Sequence, residues 1–501
     1  MPADRAGLRL AARLGGVLAA AAIMLGGPVV TLAHGMSATY QSPLPLAVYL
    51  VGAAATVALS FVFVLARDLR AAPVDPGRRA QVPAVVRYGL RAIGLLAWAW
   101  IMAQGVAGGS SDASVAGLFL WVYGWVGVAM LSALVFPVWE WLDPFTTLFD
   151  LLAGLLRRLG IAGAPVAILP RRARGWPAVA GLVFVVWLEL VAVPGTEGLT
   201  VVVLGYTILT LVLMAQFGRD QWRAYGETFT VWFRTLNRLA AVGVAPSADP
   251  RAGEAATDGR SVLRRPFASG LLDATWERGR IAVVAVGAGS IIFDGISQTV
   301  PFATVFGPPS LLPRTVLLLA WLAVVAGAAL LVARTVSPGA IGAGLVPIAV
   351  GYLFAHYLTY VLFDGQRLVI AISDPLQQGW DLVGTAFYEV QTGWLPPGLL
   401  WTAQLAAVVG GHMLGAWAGH VTAQRDIEAA RLGREERDFR HRRIQPAAAP
   451  GRAIATRNVR LREVPLAIVM VALTTVTLWS LGQAVVVEPD TASVPAIAAT
   501  R

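Results

Sequence analysis

The sequence contains neither cysteine nor lysine, so all 39 basic residues are arginine. Without cysteine the chain can form no disulfide, thiolate metal site or iron–sulfur cluster, and any bound metal must take nitrogen or oxygen ligands. Charged residues are also scarce: they make up 14% of the 501 residues, while hydrophobic residues make up 57%. Because soluble domains carry about 25% charged residues, this composition predicts an integral membrane protein.

Motifs for nucleotide chemistry are absent as well. The sequence has no Walker motif, GxGxxG fingerprint, HExxH motif or GxSxG elbow. These absences argue against nucleotide hydrolysis within this chain. The net charge of +10 would suit a nucleic-acid partner, but the arginines lie between apolar segments, where membrane topology explains them better. No nucleic-acid partner is therefore predicted.

The first 33 residues are typical of a cleavable signal peptide. Basic residues precede an apolar run, and a small residue stands at the cleavage position, in the order Arg5, Arg9, Arg13, residues 14–32 and Ala33. Cleavage would make His34 the amino-terminal residue, which offers a metal ion both its α-amine and its imidazole. In the alternative, the leader remains as a transmembrane helix and His34 lies at its outer interface.

Apolar runs of about 20 residues, the length that crosses a bilayer core, recur ten times after the leader. The predicted fold class is all-α: a polytopic transmembrane helix bundle of about ten spans, which occupies residues 34–487. The predicted spans are 44–66, 87–106, 115–138, 177–195, 198–217, 280–300, 314–334, 338–362, 399–422 and 465–487.

Arginine is unevenly divided among the connections between these spans. It is frequent in 67–91, 157–174, 219–280 and 423–463, and almost absent from 107–114, 195–198, 301–313 and 364–398. The positive-inside rule places the first set in the cytoplasm, with 219–280 and 423–463 as cytoplasmic linkers. With the leader removed, ten spans put both termini outside the inner (plasma) membrane, including the tail 488–501.

Three stretches near the predicted inner surface have a more specific interpretation. Residues 144–160 alternate apolar and polar positions at helical spacing and end in two arginines, which predicts an interfacial amphipathic helix. WEWLDPF, residues 139–145, predicts an exit turn ahead of that helix. Residues 245–266, rich in alanine, glycine, aspartate and arginine, predict an exposed charged linker.

Ionisable residues inside three predicted spans are candidates for function. A charge at the centre of a transmembrane helix costs about 2.5–3.5 kcal/mol, so each one requires a partner or a task. Glu189, Asp294 and His356 each lie five or six residues from the outer end of their span. At a rise of about 1.5 Å per residue, all three are roughly 8–9 Å deep. They are predicted to converge on one outward-facing cavity.

Two further histidines, His412 and His420, share the predicted span 399–422. Eight residues of helix correspond to roughly 12 Å of rise, which is too far for both to ligate one ion. His412 falls near the middle of the bilayer, where it is either a ligand or proton relay that closes the cavity from below, or a packing histidine. His420 is predicted to be structural.

Carboxylates in the predicted outer loop 364–398 extend this candidate site. Asp364 and Asp374 would lie over the cavity, although Asp374 precedes a proline and turn formation is an alternative explanation. The sequence thus predicts a divalent-cation site whose ligands are His34, Asp294, His356 and His412. Histidine and carboxylate ligands suit copper, zinc or manganese.

Six stretches, spread over most of the chain, share an order of aromatic, acidic and glycine residues with a known family. They are Ala33-His34-Gly35, GWPAVAGLVFVVWLEL (175–190), FGRDQWRAYGETFTVWF (217–233), FDGIS (293–297), SDPLQQGWDLVGTA (373–386) and the helix with His412 and His420. Together they resemble a family of bacterial polytopic membrane proteins named after a fenitrothion hydrolase. The resemblance implies cleavage of the aryl ester bond of an apolar organophosphorus triester, together with a second membrane subunit.

The candidate residues are compatible with that chemistry. A bound cation would lower the pKa of its water towards about 7 and polarise the ester. In this hypothesis Asp294, His356 and His34 hold the ion, and Asp374 or Asp364 is the general base. Two alternatives remain open: a protein that handles or transports copper, and a non-catalytic scaffold subunit. The predicted partners are the lipid bilayer, a second membrane subunit and an apolar small-molecule substrate.

Overall fold

The computed structural model describes residues 77–441, except for short gaps at 110–113, 162, 248–254, 273–274 and 308–309, together with a few isolated positions within 50–59 and 471–479. Several sequence predictions lie outside the described residues. They are the signal peptide 1–33, His34, almost all of the spans 44–66 and 465–487, the end of the linker 423–463 and the tail 488–501.

The described chain is mostly helical, as predicted. Eight of its helical segments are long and apolar enough to cross a membrane, and they coincide with eight of the ten predicted spans. These segments are α1 (Ala84–Ala107), α2 (Val115–Leu134), α5 (Trp176–Trp187, continued by a π-helical turn Leu188–Ala192), α6 (Thr196–Phe217), α10 (Arg278–Ser297), α12 (Leu311–Thr335), α13 (Pro338–Phe363, continued by a 3₁₀ turn Asp364–Arg367 and by α14, Leu368–Ser373) and α15 (Pro397–His441).

Shorter elements fill the connections. The short helices are α3 (Trp139–Leu142), α4 (Pro144–Arg158), α7 (Arg219–Tyr225), α8 (Thr228–Leu236), α9 (Ser269–Leu272) and α11 (Val300–Phe306), and a 3₁₀ turn, Arg171–Ala173, precedes α5. An antiparallel sheet of order β1-β3-β2 is formed by Arg78–Gln81, Thr257–Arg264 and Val242–Pro246. The predicted all-α fold class does not include this sheet. The strands also occupy part of 245–266, for which the sequence predicts an exposed linker.

Local sequence explains where the helix after the exit turn begins. Asp143 caps α4, since its Oδ1 accepts hydrogen bonds from the backbone N–H groups of Phe145 and Thr146 at 2.9 and 3.1 Å, and Pro144 occupies the first helical position, where its missing N–H costs nothing. Leu151, Leu152 and Leu155 remain exposed on α4. This apolar face matches the predicted interfacial helix.

The centre of the bundle is formed by α10 and α13. Within the apolar stretch of each, 89% of the residues are buried, against 17% for α1. Helix α15 packs antiparallel along α13 through glycines: a methyl group at Gly411 would lie 2.6 Å from Pro347 O, and one at Gly415 would lie 2.5 Å from Gly344 O. The absence of side chains therefore lets the two backbones approach closely.

The connections pack into two groups that match the predicted arginine-rich and arginine-poor sets. In the first group, β1 from connection 67–91 pairs with β3 from connection 219–280, and Leu169 N donates to Gln221 Oε1 at 2.8 Å. In the second group, Trp100 Nε1 at the arginine-poor end of α1 donates to Pro375 O at 2.7 Å. Each set of connections therefore shares one end of the bundle.

The glycine contact between α13 and α15 can be tested at two adjacent positions. Gly411→Val is expected to lower the free energy of unfolding by about 1–3 kcal/mol, because the added side chain overlaps α13. Gly410→Val is the matched control, since a methyl group at Gly410 meets nothing within 4 Å and the change in helix propensity is the same. The measurement is denaturant unfolding in detergent, and equal effects of the two variants would contradict the close approach.

The absence of cysteine makes the predicted orientation testable by single-cysteine labelling. Phe387→Cys in the arginine-poor group and Val166→Cys in the arginine-rich group place thiols at positions that are 91% and 88% exposed. We expect a membrane-impermeant maleimide to label Phe387→Cys in intact spheroplasts and to label Val166→Cys only after lysis. The reverse pattern would invert the topology.

Candidate functional site

The polar groups inside the bundle meet at the carboxylate of Asp294, which is 5% exposed on α10. Its Oδ2 accepts a hydrogen bond from Tyr357 OH at 2.8 Å and lies 2.9 Å from His356 Nε2. Its Oδ1 accepts a hydrogen bond from Gln298 Nε2 at 2.5 Å. We call these four residues the Asp294 cluster. Because α10 and α13 are the central helices, the structure brings Asp294 and His356 into direct contact, as their matching depth predicts.

The hydrogen bonds of the cluster assign the tautomer of His356. An ionised carboxylate can only accept hydrogen bonds, and Asp294 accepts them from Tyr357 and Gln298. His356 Nε2 therefore carries the hydrogen, and Nδ1 carries the lone pair. Nδ1 makes no hydrogen bond with any described residue, and it is not completely buried. It is open to a water molecule or a ligand.

Glu189, the third residue predicted at this depth, lies in the π-helical turn that ends α5. It is within electrostatic range of Asp294 and Tyr357 but makes no hydrogen bond with a described residue. Two neighbouring carboxylates in a low dielectric do not both ionise. Asp294 receives three hydrogen bonds from described residues, whereas Glu189 receives none. π-helical turns of this kind occur frequently at functional sites.

A cation next to the cluster, Arg314 at the start of α12, is absent from the sequence predictions. Its Nη2 donates to Ser297 Oγ at 3.3 Å, and Ser297 Oγ donates to the backbone oxygen of Asp294 at 3.2 Å. The Nε of Arg314 is buried without a hydrogen-bond partner in the described part of the chain. Arg314 directly follows the arginine-poor connection 301–313, which is predicted to be outside, so it is an exception to the positive-inside rule. Sequence reasoning could have identified Arg314 from this exception.

The two predicted general bases make no hydrogen bond with the Asp294 cluster and have structural partners of their own. Asp364 pairs with Arg367, three residues further on, at 3.2 Å. Asp374 accepts hydrogen bonds from Gln378 N at 2.8 Å and Gly379 N at 3.0 Å. Asp374 therefore closes a turn, which agrees with the alternative explanation of this residue.

His412 is also separate from the cluster. Gly415 faces Gly344, and Gln404 Nε2 donates to Ala355 O at 2.7 Å. In this register His412 lies level with about residue 347, so it is nine residues, or roughly 13 Å, from the level of His356. Its Nδ1 is bonded to Val408 O at 2.8 Å, and its buried Nε2 has no hydrogen-bond partner among the described residues. His412 and His356 thus do not share one site.

The predicted metal site is incomplete in the described part of the chain. There, no three histidine, aspartate or glutamate side chains lie close enough to hold a metal ion. Asp294 and His356 bond to each other, and two ligands are fewer than the three or four protein ligands of a zinc site. His34 lies outside the described residues, so its role as a ligand remains a prediction.

A second polar centre, at the arginine-rich end of the bundle, is absent from the sequence predictions. Arg234 forms a bidentate pair with Glu140, with N–O distances of 2.6 and 2.8 Å. Arg223, 5% exposed, lies 3.3 Å from Glu140 Oε2 and 3.4 Å from Asp143 Oδ2. Glu227 caps α8 by accepting hydrogen bonds from Phe229 N and Thr230 N. We call these five residues the inner ion network.

The inner ion network shifts the pKa values of two of its acids, Glu140 and Glu227. Burial alone would raise the pKa of Glu140, but Arg234 and Arg223 outweigh burial and lower this pKa to about 2. The pKa of Glu227 is raised, chiefly by burial and then by the neighbouring charge of Asp143. WEWLDPF and FGRDQWRAYGETFTVWF, separated in sequence, thus meet at one group of buried charges.

An apolar cavity of about 290 Å³ lies between α1, α2, α6 and α8. Aromatic side chains dominate its wall, among them Trp98, Phe119, Trp139, Phe145 and Phe233. None of the residues of the Asp294 cluster lines it, so this cavity offers lipophilic space without a catalytic group.

Comparison of the chain with protein-family models, with curated proteins and with solved structures finds no match.

Glu140→Gln tests the inner ion network through the pH dependence of stability. A pKa lowered from 4.5 to about 2 corresponds to about 3 kcal/mol of stabilisation. This stabilisation is fully present above about pH 4.5 and is lost as the pH falls towards 2, because the folded carboxyl then takes up its proton. The free energies of unfolding of the wild type and the variant, measured between pH 3 and 7, should therefore approach each other as the pH falls.

Asp150→Asn is the matched control for this measurement. Asp150 also pairs with two arginines, Arg91 and Arg219, but it is 27% exposed, and such partly solvated pairs contribute about 0–1 kcal/mol. If Glu140→Gln remained parallel to the wild type over the whole pH range, or cost no more than Asp150→Asn, the network would not have the proposed energetic role.

Proposed function

We propose that the chain is a membrane-embedded hydrolase of neutral, lipophilic organophosphorus triesters, with the Asp294 cluster as its active site. The observation that carries the proposal is the pairing of His356 with Asp294: Nε2 is held by the carboxylate at 2.9 Å, while Nδ1 is free to accept a proton. A histidine oriented by a carboxylate is the arrangement of a general base. The resemblance to the fenitrothion hydrolase family points to the same reaction class.

In the proposed step, Nδ1 of His356 removes a proton from a water molecule while the water oxygen attacks phosphorus. The new P–O bond forms as the bond between phosphorus and the aryl oxygen breaks, so the products are a dialkyl (thio)phosphate and a phenol. Asp294 keeps His356 in the required tautomer and stabilises the imidazolium that forms. Tyr357 and Gln298 orient Asp294 in turn.

Two neighbours supply the remaining charges. Glu189 is the proposed general acid that protonates the departing aryl oxygen, and the proposal assigns it the proton of the carboxylate pair. Arg314, which two hydrogen bonds connect through Ser297 to the backbone of Asp294, is the proposed cation that stabilises negative charge on the phosphoryl oxygen or sulfur. A neutral triester can reach such a site from the bilayer, because it carries no charge to desolvate.

Metal handling remains a separate prediction that depends on His34. Metal analysis of the purified protein, paired with a chromogenic triester assay, separates the two functions. Bound copper, zinc or manganese without turnover would favour handling. Turnover that survives chelation would favour the hydrolase as proposed, and the absence of turnover with every triester tested would overturn it.

His356→Gln is expected to lower kcat for release of nitrophenol from a nitrophenyl phosphotriester by about 10²–10⁴-fold, the contribution of general base catalysis. Asp294→Asn should produce a comparable loss, because the amide group of asparagine can donate a hydrogen bond to Nε2 of His356. His356 would then carry its hydrogen on Nδ1 and could not accept a proton there. The assay uses protein reconstituted in lipid, with folding checked by size-exclusion chromatography.

Asp364→Asn and Asp374→Asn are the controls for this experiment. Both remove a carboxylate that makes no hydrogen bond with the Asp294 cluster, so kcat should stay within a factor of a few of the wild type. Unchanged turnover in well-folded His356→Gln, or a loss in Asp364→Asn equal to that in Asp294→Asn, would contradict the assignment of His356 as the general base.

A further inference from the structure

The apolar cavity between α1, α2, α6 and α8 has no role in the proposed hydrolysis. Its volume of about 290 Å³ is close to the lower limit of about 300 Å³ for ligand pockets. Neither the Asp294 cluster nor the inner ion network contributes a residue to its wall. Its function therefore does not depend on the proposed active site.

Two glycine contacts of α1 explain why this space exists. An added methyl group at Gly94 would lie 1.8 Å from Leu142 O, and one at Gly105 would lie 2.3 Å from Thr200 Oγ1. Helix α1 is thus held against the turn before α4 at one level and against α6 roughly 16 Å further along its axis. Between these two levels, the face of α1 that carries Ala97 lines the cavity.

The polar groups of the wall all have partners outside the cavity. Among the described lining residues only three side chains carry a polar atom, and each donates a hydrogen bond: Trp98 Nε1 to Thr207 Oγ1 at 3.0 Å, Trp139 Nε1 to Thr230 Oγ1 at 3.2 Å and Tyr123 OH to Gly365 O. An apolar cavity of this kind stays dry and takes apolar ligands. A ligand that brought a polar group inside would bury it without a partner, so the ligand must be a hydrocarbon.

The cavity opens to the lipid at the level of the interfacial helix α4. Ile93 lines the cavity and is 57% exposed on α1, so the mouth lies at this residue. Arg91, two residues earlier, lies 3.1 Å from Asp150 of α4. Interfacial helices lie at the boundary between headgroups and acyl chains. The mouth is therefore at the depth where the chains of the adjoining leaflet begin.

The length and direction of the cavity match one such chain. Its wall extends along α1 from Ile93 to Ile101 and along α2 from Phe119 to Val128. Eight and nine residues of helix correspond to about 12 and 13.5 Å. Half of a hydrocarbon core about 30 Å thick is about 15 Å, which is the depth that the chains of one leaflet fill. The cavity thus runs parallel to the lipid chains over almost this depth.

We propose that this cavity, named here the acyl cavity, binds one acyl chain of a membrane lipid whose headgroup remains outside, beside α4. An empty space of this volume would deprive its wall of dispersion contacts, and a chain restores them. Only 17% of the apolar stretch of α1 is buried. The bound chain therefore supplies packing between α1 and α2 that the protein itself does not provide.

The test uses the full-length protein in phosphatidylcholine vesicles, in which a small share of the lipid carries a diazirine near the end of one acyl chain. After irradiation, labelled residues are mapped by mass spectrometry. Surrounding lipid should label Leu204 and Ile208, which are 45% and 55% exposed on α6. A chain inside the acyl cavity should also label Ile101, which lines the cavity and is 5% exposed.

Ala97→Phe places a ring in the acyl cavity. Labelling of Ile101 should fall about tenfold, the change in occupancy that a loss of about 1.4 kcal/mol in binding produces. Ala99→Phe is the matched control, because Ala99 is exposed on the same helix and does not line the cavity. It should behave as the wild type, and labelling of Leu204 should be equal in all three proteins.

Leu368→Trp provides a second variant in case Ala97→Phe does not fold. Leu368 lines the cavity and begins α14 in the arginine-poor group of connections, so it lies at the end remote from Arg91. A larger side chain there shortens the cavity. Labelling of Ile101 by the terminal diazirine should fall, while a diazirine at the middle of the chain should still label Trp98.

Two results would overturn the proposal directly. One is a wild type in which Leu204 is labelled and Ile101 is not. The other is labelling of Ile101 that both Ala97→Phe and Leu368→Trp leave unchanged.

Competition with an excess of a nitrophenyl phosphotriester distinguishes the lipid from an aryl ligand. Labelling of Ile101 should persist, because the competitor is shorter than the cavity and carries polar oxygens. Selective loss of the label at Ile101, with the label at Leu204 retained, would assign the cavity to the triester and contradict the assignment to lipid.

Discussion

The burial of Arg223 is the constraint on which much of this structure depends. A guanidinium that is 5% exposed has lost its hydration and is tolerated only among carboxylates. Glu140 and Asp143 supply these carboxylates from the turn between α2 and α4, some 80 residues earlier in the chain. The turn and α7 therefore have to come together, and α8, which Glu227 caps, is brought with them.

Helix α8 transmits this constraint to the core of the bundle. One face inserts Trp232 into the core, where it stacks on Trp125 with ring centroids 5.9 Å apart. Gly287 of α10 accommodates the same indole, because a methyl group there would lie 2.3 Å from it. The other face carries Arg234, which is paired with Glu140. Since α10 also bears Asp294, the inner ion network helps to position the helix that carries the candidate site.

Sequence reasoning finds what local composition encodes. Length and hydropathy locate eight helices, arginine content separates two sets of connections, and burial depth pairs Asp294 with His356. It does not find the partners of Glu140, because Arg223 and Arg234 lie far along the chain and no periodicity records such a contact. The sheet is missed for the same reason: β1 and β3 pair across some 180 residues. Tyr357 and Gln298 neighbour the predicted residues, but only the fold shows that both donate to Asp294.

The unequal hydrogen bonding of Asp294 and Glu189 bears on the chemistry proposed for the Asp294 cluster. A symmetric pair of carboxylates would share one proton and would favour neither a base nor an acid. Here three hydrogen bonds converge on Asp294, and none from a described residue reaches Glu189, so the environments separate their roles. In the proposed mechanism Asp294 orients the imidazole of His356, whose second nitrogen accepts the proton of water, and Glu189 donates a proton to the leaving group. A scaffold helix pair requires only that its charges be satisfied, and His356 would then need no open nitrogen. The difference in hydrogen bonding between Asp294 and Glu189 therefore supports the proposed role in proton transfer better than a role in packing alone.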